Sequence, residues 1–329
     1  MKLIIDAMGG DNAPHEIVKG AVMAQFDGEI ILVGQQDKIR ACFIESLPSN
    51  ITVIHAPEIV TMEDDPAMAM KDKPDSSMAV ALNLLASGDG DAVISAGNTG
   101  ALLTMSTLKV KRIKGIRRAA LATIVPSVTG GVLLLDCGAN VECTPEYLYQ
   151  FAVMGSAYAK QTLGLDSPRI GLLNNGAEET KGPPLQRDAH ELMKNAHGTT
   201  LNFVGNVEAR DVPYGACDVI IADGFAGNIL LKTMEGVGMF FAKSLKEIIY
   251  KNAKTKTAGL LLKKDMAIFK KMMDYAETGG APLLGISKPV IKAHGSSDAR
   301  AIGGAIRQAV RYTKGGACDE IATNVGTKE

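Results

Sequence analysis

The sequence predicts an α/β protein in which a mostly parallel sheet lies between two layers of helices. Seven short apolar runs recur along the 329 residues, and each ends at a small or polar residue. Within a run, polar and apolar residues do not alternate, which is typical of strands buried on both faces of a parallel sheet. Helix-like stretches such as 76–87 and 146–163 separate the runs. We therefore expect a three-layer α/β/α sandwich.

The predicted strands follow the apolar runs in chain order. They are Leu3–Asp6, Ile30–Gly34, Ala92–Ser95, Val132–Asp136, Ile170–Asn174, Leu201–Gly205 and Val219–Asp223. No Pro- or Ser-rich linker divides the chain. We expect a single α/β unit over residues 1–329, whether or not it is built from two intertwined subdomains.

A basic stretch breaks this rhythm and predicts a helical excursion from the sandwich near residues 232–278. Between Lys243 and Met273 there are nine lysines against only Glu247 and Asp265, a net charge of +7. The whole chain carries -1, so the remaining residues must carry about −8. Residues 243–273 are therefore treated as a basic amphipathic segment attached to the α/β unit.

Composition excludes several classes of protein. Lys+Arg 35 and Asp+Glu 36 nearly cancel, and aromatic residues make up 5% with no Trp, so nucleic acid is not an expected partner. Five scattered cysteines without a CxxC pair argue against a disulfide framework or a zinc knuckle, and they indicate a reducing cytosol. No apolar run reaches the ~18 residues that a spanning helix needs. Asp6 interrupts any signal-peptide core.

The segments at the ends of six predicted strands are rich in Gly, Asn and Asp. They are Asp6–Asn12, Ser95–Gly100, Asp136–Asn140, Asn174–Glu178, Gly205–Glu208 and Asp223–Asn228. Because the carboxyl ends of parallel strands share one edge of a sheet, we expect these loops to converge there. Tight turns and helix caps explain any one of them. Six together predict a site for an anionic ligand, which backbone N–H groups and Asn amides would bind.

Familiar catalytic motifs are missing from the sequence. It contains no GxxxxGK[ST], no strand followed by GxGxxG, no GxSxG and no HExxH, and its five histidines lack ligand spacing. We therefore expect no metal and no cofactor. The attacking nucleophile is expected to be a substrate.

Seven motifs then follow one another in a recognisable order. They are DAMGGDNAP at 6–14, SAGNTGA at 95–101, LLLDCGAN at 133–140, NGAEETKG at 175–182, VGNVEARD at 204–211, DGFAGNILLK at 223–232, and GGAPLLG with IKAHGSSDA at 279–299. In this order they resemble the bacterial phosphate acyltransferases of the PlsX family, from residue 2 to about residue 312.

The resemblance implies transfer of a fatty acyl group from acyl carrier protein to inorganic phosphate, which yields an acyl phosphate for phospholipid synthesis. It also implies a homodimer whose fold is related to isocitrate and isopropylmalate dehydrogenases. We expect a cytoplasmic enzyme that associates peripherally with the inner face of the cell membrane. A membrane-bound glycerol-3-phosphate acyltransferase is the expected downstream partner.

The chemistry suits the residues. Phosphate is already nucleophilic near neutral pH, so the enzyme must hold it beside the thioester carbonyl and stabilise the developing oxyanion. The phosphate cradle is predicted at Gly97, Asn98, Thr99 and Gly100, where a strand meets a helix. With the resemblance, Lys181 is the predicted cation of the site; without it, a solvated loop lysine is the simpler interpretation.

Four further residues are candidates for the site. Asn228 is predicted to donate its amide to phosphate or to the thioester oxygen, and it is equally a candidate N-cap for a helix from Ile229. Asp6 and Asp11 flank a Gly-Gly turn and are expected to orient amides or Lys181. His294 is expected to line the cleft, without acting as a general base.

The basic segment also carries an apolar face. At about 100° per residue, one arc contains Leu261, Leu262, Met266, Ile268, Phe269, Met272 and Met273. Leu262, Met266, Phe269 and Met273 are our candidates for membrane or acyl contact. The same helix could instead receive the acidic carrier protein or pack on the sandwich or a second subunit.

Three other functions stay open at this point. A phosphotransacetylase-like enzyme would use acyl-coenzyme A, a dehydrogenase of the related fold would need nicotinamide, and a membrane adaptor would have no catalytic activity. Phosphate-dependent release of thiol from an acyl carrier would exclude the adaptor. An unchanged spectrum with NAD would exclude the dehydrogenase.

Overall fold

The computed structural model describes residues 1–43, 46–266 and 279–326. In these ranges eleven strands form one sheet. They are β1 (Lys2–Asp6), β2 (Glu29–Gly34), β3 (Ile51–His55), β4 (Ala92–Ser95), β5 (Ala120–Val125), β6 (Val132–Leu135), β7 (Arg169–Asn174), β8 (Asn202–Glu208), β9 (Val219–Ile221), β10 (Ala281–Leu284) and β11 (Val290–Lys292). Their order is β3-β2-β1-β4-β11-β10-β5-β6-β9-β7-β8. All seven predicted strands are present.

The sheet consists of two half-sheets that run in opposite directions. Strands β3, β2, β1, β4 and β11 are parallel to one another, as are β6, β9, β7 and β8. Between them β11–β10, β10–β5 and β5–β6 pair in antiparallel fashion. The expectation that six loops converge on one edge is therefore wrong. Loops after β1 and β4 lie at one edge, and those after β6, β7 and β9 lie at the other.

One expected loop is not a loop. Residues Gly205–Glu208 form the second half of β8 and pair with β7 up to Asn174. Gly205 had suggested a strand end, yet its backbone, at a φ of 97°, continues the strand through a register shift between Ile170 and Gly171.

Helices cover both faces of the sheet. The α-helices in the described ranges are α1 (His15–Met23), α2 (Gln36–Arg40), α3 (Ala69–Asp72), α4 (Ser77–Ser87), α5 (Thr99–Met105), α6 (Pro145–Leu163), α7 (Pro184–Asn195), α8 (Gly224–Tyr250), α9 (Ala253–Leu261), α10 (Ala299–Gly315) and α11 (Ala317–Gly326). The two helical stretches predicted from the sequence correspond to α4 and α6. Ser76 caps α4, because its Oγ accepts a hydrogen bond from Ala79 N at 3.3 Å.

Successive residues of β1 alternate between the two buried clusters that lie on opposite faces of the sheet. Leu3 and Ile5 belong to one buried cluster, which includes residues of α1, α6, α7, α10 and α11. Ile4 belongs to a second cluster, which includes residues of α4, α5 and α8. All three side chains are at most 1% exposed. Successive residues of a strand point to opposite faces, so a strand apolar throughout needs helices on both. The three-layer α/β/α sandwich is confirmed.

The predicted excursion is helical as far as the structure describes it. Helix α8 has 27 residues, a length of about 40 Å. Its buried residues are Gly224, Gly227 and Leu230, all near its start. Most of α8 and all of α9 therefore extend away from the sandwich in the single chain. Residues 267–278, which complete the predicted excursion, lie outside the described ranges.

Candidate active site

The Gly97–Gly100 loop joins β4 to α5 in a fixed conformation. The Asn98 side chain caps α5, since its Oδ1 accepts a hydrogen bond from Ala101 N at 3.1 Å. Its Nδ2 donates to the carbonyl oxygens of Thr61, Met62 and Asp64 at 3.2–3.4 Å. The amide of Asn98 therefore ties the loop to residues 61–64. Thr99 and Gly100 are the first residues of α5, where helical N–H groups have no partner within the helix.

Asp6 supports this loop from the neighbouring strand. Its Oδ2 accepts a hydrogen bond from Ser95 Oγ at 2.6 Å, and its Oδ1 accepts one from Met8 N at 3.2 Å. Ser95 Oγ in turn accepts from Gly97 N at 3.1 Å. Burial raises the pKa of Asp6 above its usual value. This carboxyl group orients backbone around the loop and lies 1% exposed, so direct contact with an anion is not its role.

Glycine is required where the two loops meet. A Cβ atom on Gly9 would lie 2.5 Å from Asp6 Oδ2 and 2.7 Å from Gly97 N. Gly10 has a φ of 100°. Asp11 N follows and donates to Gly295 O at 2.8 Å, which connects this turn to the segment after β11. The Gly-Gly pair of the first motif thus allows two backbone segments to touch.

Lys292 is a buried cation beside the predicted cradle, and the sequence analysis missed it. It ends β11, opposite Ser95 of β4, and is 7% exposed. Its Nζ donates to Ala96 O at 3.3 Å and to Ala293 O. Burial lowers its pKa to about 8, while Asp6 and Asp11 act in the opposite direction. A buried ammonium group therefore lies beside the residue that leads into the Gly97–Gly100 loop.

His294 follows β11 and lies near α8, the helix that begins after β9 of the second half-sheet. Desolvation lowers the pKa of its imidazole, and the ammonium groups of Lys232 and Lys292 lower it further. Lys232 lies on α8, where it forms a salt bridge with Glu235 at 2.8 Å. The His294 Nδ1 lies 2.8 Å from Ser296 Oγ and accepts a hydrogen bond from Ser296 N at 3.3 Å. Helix α8 thus approaches the segment after β11.

Asn228 lies one helical turn before Lys232 on α8 and is exposed. A Cβ atom on Gly138 would lie 3.9 Å from Asn228 Oδ1, so this side chain borders the turn after β6. The alternative role as an N-cap is wrong, because Asp223 caps α8. Its Oδ1 accepts hydrogen bonds from Phe225 N at 3.1 Å and Ala226 N at 2.9 Å. The Asn228 amide is not used to cap the helix.

The turn that faces Asn228 is built by Asp136, which is fully buried. Its carboxylate accepts hydrogen bonds from the backbone N–H groups of Leu121, Ala139 and Asn140, and burial raises its pKa. A Cβ atom on Gly227 would lie 1.9 Å from Asp136 O. Helix α8 and this turn are therefore in direct backbone contact.

Lys181 is not brought to this cluster within one chain. It follows β7, which is six positions from β4 in the sheet order and runs in the opposite direction. Lys181 is exposed, and its carbonyl oxygen accepts a hydrogen bond from Asn174 Nδ2 at 3.1 Å. Its assignment to the site stays a prediction.

A cavity of about 220 Å³ adjoins the predicted cradle. It is lined by Met8, Gly10 and Asp11 together with Ile59, Val60, Thr61, Met62 and Glu63. Asn98 holds one wall through its bonds to residues 61–64. Asp11 therefore lies at a concave surface that apolar and polar groups share.

The described ranges contain neither a cluster suited to a metal ion nor a helix suited to span a membrane. There, no group of three or more His, Cys, Asp or Glu side chains is placed to hold a metal ion. Within residues 1–43, 46–266 and 279–326, no helix has both the length and the apolar character to cross a bilayer. Of the predicted membrane contacts, Leu262 is exposed and Met266 is partly buried. Phe269 and Met273 lie outside the described residues.

Comparison with known proteins gives a consistent result. The family model described as fatty acid synthesis protein matches residues 1–320. A phosphate acyltransferase of Thermoanaerobacterium thermosaccharolyticum is 50% identical over 311 residues, which cover 94% of this chain and 92% of the relative. Phosphate acyltransferases of Bacillus licheniformis and Clostridioides difficile are 49% and 46% identical, over 94% and 98% of this chain and 93% and 95% of theirs.

Solved structures share the fold at low identity. A phosphotransacetylase from Streptococcus pyogenes has a TM-score of 0.65 at 19% identity, over 97% of this chain and 94% of its own. A 4-hydroxythreonine-4-phosphate dehydrogenase from Klebsiella pneumoniae has a TM-score of 0.55 at 13% identity, over 95% of this chain and 98% of its own. At these identities the likeness shows the architecture alone.

Proposed function

This chain belongs to the fatty acid synthesis protein family and is a phosphate acyltransferase, and we propose that it moves a fatty acyl group from acyl carrier protein to inorganic phosphate. The observation that supports the proposal is the buried ammonium group of Lys292 beside the Gly97–Gly100 loop, whose residues Thr99 and Gly100 begin α5. Helix α8 contributes Lys232, whose charge lowers the pKa of His294, and the exposed amide of Asn228.

Phosphate is proposed to bind at Thr99 and Gly100. The N–H groups at the start of α5 and the Thr99 hydroxyl would donate hydrogen bonds to its oxygens. Lys292 holds the approach to this loop through Ala96 and contributes positive charge. Lys232 adds a second cation from α8. Asp6 and Asp11 keep the loops in place, and Asp6 is separated from the anion by the backbone it orients.

The reaction needs no nucleophile from the protein. A phosphate oxygen attacks the thioester carbon, the carbon–sulfur bond breaks, and the proton of hydrogen phosphate ends on the departing thiol. Asn228 is proposed to donate its amide to the carbonyl oxygen as negative charge develops there. The nearby thiols are unsuited to attack, because burial raises the pKa of Cys143 to about 12 and that of Cys137 well above its usual range.

We propose a homodimer in which a second copy covers the exposed apolar side of α8. Phe240 and Phe241 stack edge to face at 5.8 Å and remain 64% and 58% exposed in the single chain. Other exposed apolar residues on α8 are Phe225, Ile229, Val237, Met239 and Ile248. An apolar surface of this extent on a single chain is typical of a protein interface.

We also propose peripheral attachment to the inner face of the cell membrane through the end of the excursion. Leu260 and Leu261 are 71% and 82% exposed there, next to Lys263 and Lys264. Apolar side chains beside lysines suit an anionic bilayer surface. This position would deliver acyl phosphate to a membrane-bound glycerol-3-phosphate acyltransferase, within a cytoplasmic route to phospholipids.

The test uses purified protein with palmitoyl–acyl carrier protein, then palmitoyl-coenzyme A, each with and without phosphate. Hydroxylamine traps acyl phosphate as the hydroxamate. We expect phosphate-dependent hydroxamate from the carrier protein, undiminished in EDTA. Product from coenzyme A alone would assign the chain to the phosphotransacetylase type of donor. No phosphate-dependent product from either donor would refute the proposal.

A further inference from the structure

A second concentration of positive charge lies outside the residues discussed so far. The ten residues Lys109–Arg118, here called the basic patch, contain six lysines and arginines and no acidic residue. The whole chain carries a net charge of -1, so the patch contrasts strongly with the rest of the molecule. It begins in the last two residues of the π-helix Ser106–Val110 and precedes β5.

The patch is held rigidly against the sandwich. Ile113 and Ile116 are 6% and 5% exposed, and Ile113 N donates to Gly285 O at 2.9 Å. Gln150 of α6 accepts a hydrogen bond from Arg117 N and donates one to Gly115 O, both at 2.9 Å. Two buried isoleucines and these bonds turn the charged side chains outward. The backbone of the basic patch is therefore held in a defined conformation, with its charged side chains at the surface.

Its charges are not neutralised by neighbours. In the described part of the chain, none of the six cations forms a salt bridge. Arg118 lies over the Tyr147 ring at 5.7 Å. The acidic neighbour of Arg117 is Glu146, whose carboxylate accepts a hydrogen bond from Thr144 Oγ1 at 2.6 Å. Lys111, Arg112, Lys114, Arg117 and Arg118 are all exposed. Such a surface attracts anionic partners.

A cavity lies beside the basic patch and borders the start of α8. Its volume is about 260 Å³, and its lining includes Leu103 and Leu108, Arg112 and Arg118, and Asn140. The carbonyl oxygen of Asn140 accepts a hydrogen bond from Gly224 N at 2.7 Å. Gly224 opens the helix that holds Asn228. The cavity lining thus combines two arginines with apolar side chains, and through Asn140 it contacts the first residue of α8.

We propose that the basic patch is the docking surface for the acidic acyl carrier protein, with the thioester-bearing arm of the carrier entering the cavity between Arg112 and Arg118. This inference rests on the proposed function and specifies its donor site. The arginines suit the phosphodiester at the base of the arm, and Leu103 and Leu108 suit its less polar remainder.

The surface fits a carrier protein better than a bilayer. Within Lys109–Arg118 the large apolar side chains are buried and only the neighbouring Leu108 is exposed, whereas attachment to lipid depends on several inserted apolar side chains. The 243–273 segment has that apolar character and lies on the excursion. The two basic regions are therefore assigned different partners.

The test compares three charge-reversal double variants of the full-length protein. Lys114→Glu with Arg117→Glu alters the basic patch without touching the cavity lining. Lys243→Glu with Lys246→Glu alters the excursion, and Lys38→Glu with Arg40→Glu on α2 is a control of equal charge change. Lys114→Gln with Arg117→Gln repeats the first change with half the charge difference. Steady-state kinetics with acyl carrier protein give KM for each substrate and kcat.

We expect the Lys114/Arg117 reversal to raise KM for acyl carrier protein about ten-fold or more and to flatten its dependence on salt. Its phosphate KM and kcat should match the wild type, and the Gln pair should give a smaller change in the same direction. The α2 control should behave as wild type.

Two results would overturn the docking site alone. One is an unchanged carrier KM in the Lys114/Arg117 reversal, with or without a rise in the excursion variant. The other is loss of vesicle binding in the Lys114/Arg117 reversal while its KM for the carrier is unchanged, which would make the basic patch a lipid-binding surface. A wild-type protein that forms no acyl phosphate from the carrier would instead refute the proposed function, and the docking site with it.

Discussion

The ammonium group of Lys292 donates a hydrogen bond to the carbonyl oxygen of Ala96 at 3.3 Å, immediately before the Gly97–Gly100 loop. The contact follows from strand order, because β11 inserts beside β4 and places Lys292 opposite Ser95. A residue near the end of the chain thereby fixes a loop in its first third.

Replacement of Lys292 should weaken phosphate binding. For Lys292→Met we expect phosphate KM to rise on the order of ten- to hundred-fold, since hydrogen bonds from charged donors contribute about 1.5–3 kcal/mol. Lys288→Met is the matched control, because Lys288 donates to Leu85 O at 2.7 Å and is remote from the loop. An unchanged phosphate KM in Lys292→Met would remove this residue from the site.

The low pKa of Lys292, about 8, predicts a pH dependence. Its side chain is charged below that pH, so phosphate KM should rise as pH increases through 8, and Lys292→Arg should abolish this rise. Stability should change the other way. Between about 8 and 10.5 the unfolded chain keeps a proton that the folded chain has released, so the free energy of unfolding should increase with pH there. Titrations of KM and of urea unfolding test both.

Asn228→Ala should lower kcat about 10²–10³-fold, the usual cost of one missing oxyanion donor. Phosphate KM should change little, because the amide is assigned to the carbonyl oxygen. Asn202→Ala, on β8, is the control and should keep wild-type kcat. Equal turnover in the two variants would show that Asn228 does not contact the reacting group.

Lys181→Ala is also expected to lower kcat, and its position predicts how. Since Lys181 follows β7, six strand positions from β4, we infer that it would reach the Gly97–Gly100 loop only across the interface of the proposed homodimer. A mixture of refolded Lys181→Ala and Asn228→Ala chains should therefore recover part of the lost turnover. No recovery, with dimers formed normally, would argue against a contribution from the second subunit.

Membrane attachment should depend on the apolar face of the excursion. We expect the wild type to co-sediment with anionic vesicles, and Leu262→Glu with Phe269→Glu to stay in the supernatant while retaining activity on soluble substrates. Each large apolar side chain buried contributes roughly 1.5–3 kcal/mol, more than one lysine near the surface. Leu165→Glu with Val204→Glu changes two exposed apolar residues elsewhere and should still co-sediment.

Gly227 offers a test of the backbone contact between α8 and the turn after β6. Gly227→Ala should destabilise the protein by about 1–3 kcal/mol, because its Cβ would lie 1.9 Å from Asp136 O. Gly236→Ala lies in the same helix with no atom within 4 Å of its Cβ, so it should stabilise by up to about 1 kcal/mol. Thermal unfolding of both variants measures the difference.

The sequence predicted seven of the eleven strands and missed β3, β5, β10 and β11, although four of the six residues of β5 are buried. β1, β4 and β6 were legible because an unbroken apolar run has few other interpretations. β3 was missed, since it lies at the sheet edge and mixes buried Ile51 with exposed Thr52. β10 carries Pro282, and the apolar run of β11 is only Val290 and Ile291 before Lys292, so neither gave a strand signal.

The relative direction of the two half-sheets was not predictable, because the residue pattern of one strand does not indicate which strand lies beside it. For the same reason only part of the candidate site was predicted. The Gly97–Gly100 loop could be proposed from local residues, whereas Lys292 reads as a single lysine after Val290 and Ile291. Only the pairing of β11 with β4 reveals its position.

The insertion of β11 and β10 in the middle of the sheet also governs the order of events on the ribosome. Strands β1 to β4 are synthesised first, yet the strand that flanks β4 begins at Val290. Until then β4 has an unpaired edge, while the second half-sheet can already form from residues 132–221. The Gly97–Gly100 loop therefore gains its contact with Lys292 only after nearly all of the polypeptide has emerged, and these distant pairings favour slow folding. A nascent chain interrupted before residue 290 would contain the strands of the second half-sheet and lack the proposed phosphate site.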